Sequence, residues 1–473
     1  MTIVHKFGGT SVGSVERFAA VAQIVATRHQ ATLGTRYAGT AVVVSAMSGV
    51  TNQLVAGAWA AAEGREEECR RILSGLRERH LGVVDAYFAE SVEHGVLTEW
   101  VTTRLQDLER LYGSIAVLGE LTARGRDHVV AFGEQLSVHI LAAAIRQRGV
   151  PAMALLATDL IVTDDRFEGA TPLMGQTCAR LQERVRPLLQ QGTVPVITGF
   201  IAATEAGVTT TLGRGGSDYT AAIVGAGLDA DEVWIWSDVD GILTADPNLV
   251  TGARTLRELS YVEAAELAYY GADVLHPKAI RPVIESRIPL RILNSFNPDD
   301  PGTLIVEHPG TDRERLPAII STTGLSRIAL GSADDSWSLT MVARALRALT
   351  DAGLDVLMFS QSFSEHSLNL IIRRQDQPRC LRTLRAAFEH ELSTEACILD
   401  SKEQVATVSV VGVPGWNERG TVSHAFAALG AQGTRVIAVA QAATETSVSF
   451  CIPEDQVAST VRYLHHDLGL DLL

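Results

Sequence analysis

A lysine beside two glycines is the first pattern in the chain with a chemical meaning. Residues 6–11 read KFGGTS and continue an apolar segment that begins at Ile3. Because glycine lacks a Cβ, the backbone N–H groups at Gly8 and Gly9 can approach phosphoryl oxygens, and Lys6 adds a positive charge beside them. A glycine pair after a strand is also a common simple turn. The pattern therefore leaves a phosphate site and a structural turn both open.

A second glycine-rich turn carries an arginine. Residues 211–220 read TLGRGGSDYT and precede a run of small residues, 221–227, that predicts a helix. The free N–H groups at the start of a helix favour an anion, and the planar guanidinium of Arg214 suits a carboxylate. The alternative is that Arg214 is a surface residue and Asp218 is a charge at a helix start.

A third group of polar residues follows a predicted buried strand. Residues 236–241 read WSDVDG, which puts Ser237 and Asp238 at the carboxyl end of the strand, where they suit a nucleotide or its magnesium. A plain acidic turn has the same composition. His276 precedes Pro277, and this pair is more typical of the start of a helix than of a catalytic base.

The elements that would position these residues predict an α/β domain. In chain order they are a strand at 2–7, a helix at 15–29, a strand at 40–45, helical segments between 56 and 148, and strands at 194–201 and 232–237. Open α/β sheets bind ligands at the carboxyl ends of their strands. Residues 297–302 read NPDDPG, which predicts a loop and the end of the first domain.

Composition excludes several classes of partner. The 473 residues are enough for two or three domains, and a net charge of −15 at pH 7 argues against nucleic acid and anionic membranes as partners. No apolar run approaches the roughly 20 residues that span a bilayer, and the amino terminus lacks the pattern of a signal peptide. We therefore expect a cytoplasmic protein. The five cysteines show no metal-ligand spacing, and no protein-bound metal site is predicted.

The last third of the chain repeats itself. Residues 359–369 (FSQSFSEHSLN) return 80 residues later as 439–449 (VAQAATETSVS). Each copy follows an amphipathic helix and ends in an alternating strand, which predicts two copies of one small α+β unit. Because both copies keep the same Gln and Glu, we expect a small-ligand site. Its predicted members are Gln361, Ser362, Glu365, Gln441 and Glu445.

Taken together, these motifs resemble the aspartate kinases of the amino-acid kinase superfamily. The matching stretches are 6–11 (KFGGTS), 45–52 (SAMSGVTN), 133–134 (GE), 213–218 (GRGGSD), 237–241 (SDVDG), 294–298 (NSFNP) and 301–305 (PGTLI). The resemblance covers nearly the whole chain. It implies an amino-acid kinase fold at 1–305, which is a three-layer α/β/α sandwich around a mainly parallel sheet. A linker at 306–320 would lead to two α+β ACT domains at 321–400 and 401–473, the second either following the first or interleaved with it.

The resemblance implies phosphoryl transfer from ATP, with Mg²⁺, to the β-carboxylate of L-aspartate. A carboxylate with an ordinary pKa of about 3.9 is ionised at pH 7, so the nucleophile needs no general base. Catalysis then depends on alignment and on offsetting the repulsion between two anions. By resemblance, the catalytic residues are Lys6, on the transferred group, and Asp218, which positions Lys6. The implied nucleotide contacts are Lys6, Phe7, Gly8, Gly9, Ser237, Asp238, Leu243, Asn248, Asp273 and Val274, and the implied aspartate contacts are Ser45, Thr51, Glu134, Arg214 and Ser217.

Three of the implied nucleotide positions depart from the family pattern. Leu243 stands where a tyrosine often packs beside the nucleotide, and Asn248 stands where an arginine is common. Asp273 replaces the usual lysine, and a carboxylate there would repel phosphates. Either Asp273 points away while Lys278 or Arg281 supplies the charge, or ATP binding is weaker than is usual in the family.

The ACT resemblance implies feedback inhibition by threonine or lysine. Such an inhibitor would bind the ACT domains and would act by having different affinities for two conformations of the protein. The Gln361 and Gln441 strands are more similar to those of threonine-responsive members. A homodimer through the ACT domains is implied, as is a place in lysine, threonine and methionine biosynthesis. Two alternatives stay open: an inactive homologue that senses amino acids, and an amino-acid kinase with another carboxylate substrate.

Overall fold

The chain divides into two compact units. The first unit is formed by residues 2–242, 257–261 and 275–309, and the second by 243–256, 262–269 and the part of the chain after residue 309. The computed structural model describes residues 2–32, 39–269, 275–310, 316–332, 338–362, 364, 366–412, 421–443 and 446–471.

A mainly parallel sheet is the centre of the first unit. The strands in this part of the chain are β1 (Thr2–Phe7), β2 (Gly39–Val44), β3 (Ala152–Leu155), β4 (Val162–Thr163), β5 (Val194–Thr198), β6 (Ile201–Thr204), β7 (Thr209–Thr211), β8 (Glu232–Ser237), β9 (Glu258–Ser260), β10 (Leu290–Asn294) and β11 (Thr303–Val306). Eight of them form one sheet in the order β3-β5-β2-β1-β8-β10-β11-β9, while β4, β6 and β7 form a smaller one. All neighbours in the large sheet are parallel except β10 and β11. The predicted α/β architecture is confirmed.

The central strands bring three predicted positions to one edge. Every residue of β2 (GTAVVV) and of β5 (VPVIT) is buried, as expected for parallel strands covered on both faces. β1 pairs in parallel with β2 on one side and with β8 on the other. The carboxyl ends of these three strands therefore lie side by side, at the edge that carries Lys6, Ser45 and Ser237.

Helices make up much of the described chain between residues 15 and 285. They are α1 (Val15–Thr32), α2 (Val50–Ala62), α3 (Glu66–Phe88), α4 (Glu93–Leu118), α5 (Ala123–Val130), α6 (Phe132–Gln147), α7 (Met174–Arg184), α8 (Arg186–Gln190), α9 (Gly216–Gly227), α10 (Tyr261–Tyr269) and α11 (Pro277–Glu285). α1 and α6 contact each other and the sheet, and α2 to α4 extend that group. α9 contacts β1, β2 and β8 and packs against α7 and α11.

The apolar stretch Ala123–Gln147 corrects one expectation. By length and mean hydropathy it could cross a membrane, whereas the sequence analysis predicted no apolar run of that length. However, 83% of its most apolar window is buried within the structure. Leu136, Ile140 and Ala144 have no exposed surface and belong to the main apolar core. This burial is typical of a core helix, and no other described helix is both long and apolar enough to span a bilayer.

The sequence repeat is also a structural repeat. The elements of the second unit that follow residue 309 are β12 (Ala318–Ser332), α12 (Leu339–Asp351), β13 (Met358–Ser362), β14 (Ser367–Arg373), α13 (Gln377–Ala387), α14 (Glu389–Ser393), β15 (Cys397–Val411), α15 (Thr421–Ala431), β16 (Ala438–Gln441), β17 (Ser447–Pro453) and α16 (Val457–Asp467). The starts of β13, β14 and α13 recur 80 residues later as those of β16, β17 and α16. The six strands form one sheet in the order β13-β14-β12-β15-β17-β16, which confirms the two predicted α+β copies.

The two copies share their longest strands. Residues 318–322 of β12 pair with 407–411 of β15. In contrast, residues 325–331 pair with β14, and residues 325–332 pair with 397–405 of β15. The register shifts between Thr322 and Ser326, and residues in the left-handed region, Gly324 and Gln404, lie at the midpoint of each long strand. Each copy therefore contains the first half of the other copy's long strand, so the copies are interleaved.

Two boundaries differ from the sequence-based expectation. The predicted strand 194–201 is divided into β5 and β6, because Phe200 adopts a φ of 65° and turns the chain toward the smaller sheet. The loop at 297–302 is present, but it does not end the first unit. β11 follows it and pairs antiparallel with β10.

Candidate active site

An ion pair links the first strand to a distant helix. Lys6 Nζ lies 2.6 Å from a carboxylate oxygen of Asp218, and the two side chains are only 12% and 15% exposed. Lys6 comes from β1, and Asp218 comes from the first turn of α9. A Cβ added at Gly8 would lie 3.5 Å from Lys6 Nζ. The amine is therefore held beside the backbone of the predicted phosphate turn.

A cavity of about 660 Å³ opens beside this ion pair. It brings together both predicted catalytic residues, both turn glycines and all five predicted substrate residues. Its walls come from β1, the turn after β2, α2, α5, α6 and the turn between β7 and α9. The predicted residues that line it are Lys6, Gly8, Gly9, Ser45, Thr51, Glu134, Arg214, Ser217 and Asp218.

Glu134 is the buried carboxyl group of the cavity wall. It is 3% exposed, and its Oε1 accepts a hydrogen bond from the Ala46 N–H at 3.1 Å. Its Oε2 is buried and has no hydrogen-bond partner among the described residues. Burial raises the pKa of Glu134 to about 8, against the opposing effect of the Ala46 N–H. A buried carboxyl group with one free oxygen suits a cationic donor such as an ammonium group.

Glycines shape the turn that carries Arg214. Gly213 and Gly215 have φ values of 76° and 70°, in the region that favours glycine. A Cβ added at Gly215 would lie 2.4 Å from the His276 Cβ, so the histidine packs directly on the turn. The Nδ1 of His276 accepts the Lys278 N–H at the start of α11, which is the helix-start role expected for it. The Arg214 side chain is exposed and lines the cavity.

A buried network of hydroxyl groups connects the phosphate turn to the end of β8. The Ser295 Oγ lies 2.8 Å from the Ser11 Oγ and donates to the Ser237 carbonyl oxygen at 3.1 Å. It also accepts from Arg17 Nη2 at 2.8 Å. Sequence reasoning identified the NSFNP stretch by resemblance alone and assigned it no contact. A serine just after an apolar strand was the available sequence signal.

Carboxylates extend this end of the sheet. The Ser237 Oγ donates to Asp238 Oδ1 at 3.2 Å, while Asp240 Oδ1 accepts from the amides of Asn294 and Asn297 at 2.9 and 3.1 Å. No group of three or more His, Cys, Asp or Glu side chains that could hold a metal ion occurs among the described residues. Mg²⁺ commonly binds through substrate phosphates, waters and one or two carboxylates. Asp238, whose one described donor is a hydroxyl group, fits that role better than Asp240.

The remaining predicted nucleotide residues have other surroundings. The side chain of Phe7 is fully buried and stacks on Trp236 with the ring centroids 5.6 Å apart, so only its backbone can contact a ligand. Leu243 and Asn248 belong to the segment 243–256 of the second unit. Leu243 forms a bridge with Thr255, and the amide of Asn248 donates to Asp246 at 3.0 Å. Four predicted residues lie outside the described part of the chain, namely Asp273, Val274, Glu365 and Glu445.

The predicted allosteric glutamines lie on the two edge strands of the second sheet. Gln361 and Ser362 are in β13, and Gln441 is in β16. These edge strands contact each other, so the sheet curls around a small apolar cluster to which all six strands contribute. The Nε2 of Gln361 is buried without a hydrogen-bond partner among the described residues, whereas Gln441 is exposed. The two equivalent positions therefore differ in environment.

Comparison with known proteins gives consistent matches along the chain. Residues 1–294 match the model of the amino acid kinase family, and residues 408–468 match an ACT domain. The chain is 32% identical to chloroplastic aspartokinase 3 of Arabidopsis thaliana, over 98% of this chain and 81% of that protein. It is similar to the crystal structure of E. coli aspartokinase III in complex with aspartate and ADP (R-state), with a TM-score of 0.80, 29% identity and coverage of 99% and 100%. The complex of E. coli aspartokinase III with lysine and aspartate (T-state) gives a TM-score of 0.76 and 27% identity, with 99% of each chain covered.

The sheet, the cavity and these matches define an amino-acid kinase domain followed by ACT domains. Aspartate kinases are ATP-dependent kinases whose phosphoryl acceptor is a carboxylate group. The chain belongs to the amino acid kinase family and, within it, to the aspartokinases.

Proposed function

We propose that this chain transfers the γ-phosphoryl group of ATP to the β-carboxylate of L-aspartate. The observation that carries the proposal is one cavity that contains the Lys6–Asp218 pair, the buried Glu134 and the exposed Arg214. An amino dicarboxylic acid beside a phosphoryl donor needs a cation for each anion and an acceptor for its ammonium group. The matches to aspartokinases support the same choice of substrate.

The chemistry of this reaction requires no general base. The attacking carboxylate is already ionised at pH 7, and His276, the nearby histidine, uses its Nδ1 to cap α11. The barrier then comes from bringing two anions together in line. Positioned cations lower it because their electrostatic effect is strong in a site that excludes water.

In the proposed arrangement, Lys6 binds the transferred phosphoryl group together with the N–H groups of Gly8 and Gly9. Asp218 keeps the Lys6 amine in place through their 2.6 Å contact. Because the pair is largely buried, Asp218 also offsets the cost of burying the lysine charge when no ligand is bound. The amine thus meets the phosphoryl group already oriented.

The acceptor occupies the other side of the cavity. Arg214 binds the α-carboxylate, and Glu134 accepts the α-ammonium group through its free Oε2. Ser45, Thr51 and Ser217 add hydrogen bonds to the substrate. These five residues line the same cavity as Lys6, so the β-carboxylate of a short diacid would face the phosphoryl group.

The nucleotide is ATP with Mg²⁺ in this proposal. Ser237 and Asp238, at the carboxyl end of β8, contact the nucleotide, and Asp238 is the carboxylate suited to its Mg²⁺. When bound, the ion would offset phosphate charge and orient the leaving group. The structure of E. coli aspartokinase III with ADP supports nucleotide use.

We extend the proposal to regulation and biological context. Threonine or lysine would bind at the glutamine strands of the ACT copies, with Gln361 and Gln441 as contacts, and inhibit the kinase. The structure of E. coli aspartokinase III with lysine supports a ligand of this kind. A cytoplasmic homodimer that serves lysine, threonine and methionine biosynthesis completes the proposal.

A hydroxamate assay tests the proposed reaction, because hydroxylamine traps acyl phosphates. The full chain is incubated with MgATP and aspartate, glutamate or N-acetylglutamate, each with and without threonine or lysine. Turnover on aspartate alone is the expected result. Turnover on another acceptor would show that aspartate is not the substrate, or not the only one.

Leu243, Asn248 and Asp273 motivate a second candidate, a sensor without kinase activity. Amino-acid binding with no turnover on any acceptor would favour that candidate.

A further inference from the structure

A buried carboxylate that belongs to no recognised motif lies in the cavity wall. Asp127, in α5, is 1% exposed and lines the cavity with Glu134. Burial raises its pKa, and the hydrogen bonds that it accepts oppose this rise. Since burying a charged group is costly unless it is well paired, the contacts of this residue need an explanation.

Asp127 accepts three hydrogen bonds from two separate segments. Its Oδ2 accepts the backbone N–H groups of Glu168 and Thr211, each at 3.0 Å, and its Oδ1 accepts the Thr211 hydroxyl at 2.7 Å. Three protein donors therefore converge on this buried carboxylate. Its contacts thus indicate a structural anchor rather than a direct substrate contact.

The two anchored segments support the arginine turn. Thr211 is the last residue of β7, two positions before Gly213, where the turn begins. Glu168 has a φ of 66°, and its carbonyl oxygen would lie 3.3 Å from a Cβ added at Gly213. The carbonyl of Thr211 also accepts the Ala170 N–H at 2.8 Å. Loop 164–171 and the base of the turn are thus fastened to α5 and to each other.

We infer that Asp127 is a positioning residue that sets the location of Arg214 for the α-carboxylate of the substrate. The inference rests on the proposed function, because it gives Arg214 that contact. A second link between α5 and the loop is the ion pair of Arg126 with Glu168 at 2.7 Å, but both side chains are more than 40% exposed. Exposed pairs contribute little, so the buried carboxylate carries most of the constraint.

The test separates recognition of the α-carboxylate from general damage. Asp127→Asn keeps the shape of the side chain but turns an amide toward N–H and O–H donors. The readouts are the KM for aspartate, the KM for ATP and the inhibition constant of β-alanine, which is aspartate without its α-carboxylate. We expect the KM for aspartate to rise roughly 10–100-fold, because a small misplacement of a binding group can cause a loss of this size. The β-alanine constant and the KM for ATP stay within about twofold, because Arg214 does not contribute to them.

Two further variants keep the test decisive. Asp164→Asn is the matched control: Asp164 accepts two backbone N–H groups within the same loop but has no described bond to Thr211, so the aspartate KM should be unchanged. Thr211→Val removes one of the three bonds to Asp127 and should give a smaller rise, which can be measured if Asp127→Asn does not fold. Equal loss of affinity for aspartate and β-alanine, or no change in either, would overturn the inference. Absence of aspartate turnover in the unmodified chain would instead refute the proposed function.

Discussion

Protonation of Glu134 should make aspartate binding depend on pH. The pKa of this buried carboxyl group is about 8 in the ligand-free protein, so about nine-tenths of the molecules hold the proton at pH 7. An ammonium group needs the ionised form as its acceptor. Binding must therefore release the proton, about 0.9 per site at pH 7, and the affinity for aspartate should fall about tenfold per pH unit below pH 8.

The effect of Glu134 on the pH dependence of the free energy of unfolding is opposite to that of an ordinary salt-bridged carboxylate. The native pKa of Glu134 lies above its unfolded value of 4.5, so the folded, ligand-free chain holds a proton that the unfolded chain releases. Its contribution to the free energy of unfolding is therefore present below about pH 4.5 and is lost as the pH rises toward 8. Aspartate should raise the melting temperature most at the alkaline end of this window.

Isothermal titration calorimetry with ADP and Mg²⁺ present measures the released proton directly. Aspartate is titrated at pH 7 in two buffers with different ionisation enthalpies, and the apparent binding enthalpy should differ by about 0.9 times the difference between the buffers. Glu134→Gln is the control and should bind aspartate weakly, with no buffer dependence. A buffer-independent enthalpy in the unmodified chain, or a flat affinity from pH 6 to 8, would refute the role given to Glu134.

Four further substitutions test the proposed site, three through described contacts and one, at Asp273, through the family resemblance. Lys6→Ala should lower kcat by about 10³-fold or more while an ACT ligand still binds, and substantial residual turnover would contradict the catalytic role of the turn. Asp273→Lys should lower the KM for ATP, and an unchanged or higher KM would show that this position does not face phosphate. Ser295→Ala should raise the KM for ATP and cost about 1–2 kcal/mol of stability, whereas Ser295→Thr should retain both; denaturant unfolding and kinetics check this. Gly215→Ala should cost about 1–3 kcal/mol and raise the KM for aspartate, because the new Cβ would meet His276 at 2.4 Å; an unchanged melting temperature would disprove the clash.

Short-range sequence patterns predicted the bounds of individual strands. Strand 232–237 has the same bounds as β8, and strand 2–7 has those of β1, because continuous apolar and β-branched runs suit a parallel sheet buried on both faces. The pairing of Lys6 with Asp218 depends on a contact across 212 positions. It was predicted from the family resemblance, since neither residue has a local signal for the other.

Other features depend on tertiary contacts that no short window contains. Segment 243–256 groups with the second unit because Ala245 and Val250 join its apolar core, and nothing in its composition indicates this. Asp127 follows an arginine and looks like an ordinary surface charge. Its only sequence signal is a separation of seven residues from Glu134, which puts both carboxyl groups on one face of nearly continuous helices.

The interleaved strands have a consequence for synthesis on the ribosome. The first half of β12 leaves the ribosome before any other strand of the ACT sheet, yet its described partner is the end of β15, about 85 to 93 residues later. At ordinary translation rates the segment from residue 318 to the end of β17 takes on the order of 10 s to make, and neither copy is complete until late in that time. A chain arrested after α13 would leave Ile319 and its neighbours on an unpaired edge, open to association with other nascent chains. Both copies should therefore reach their native state together, only after β17 has been synthesised.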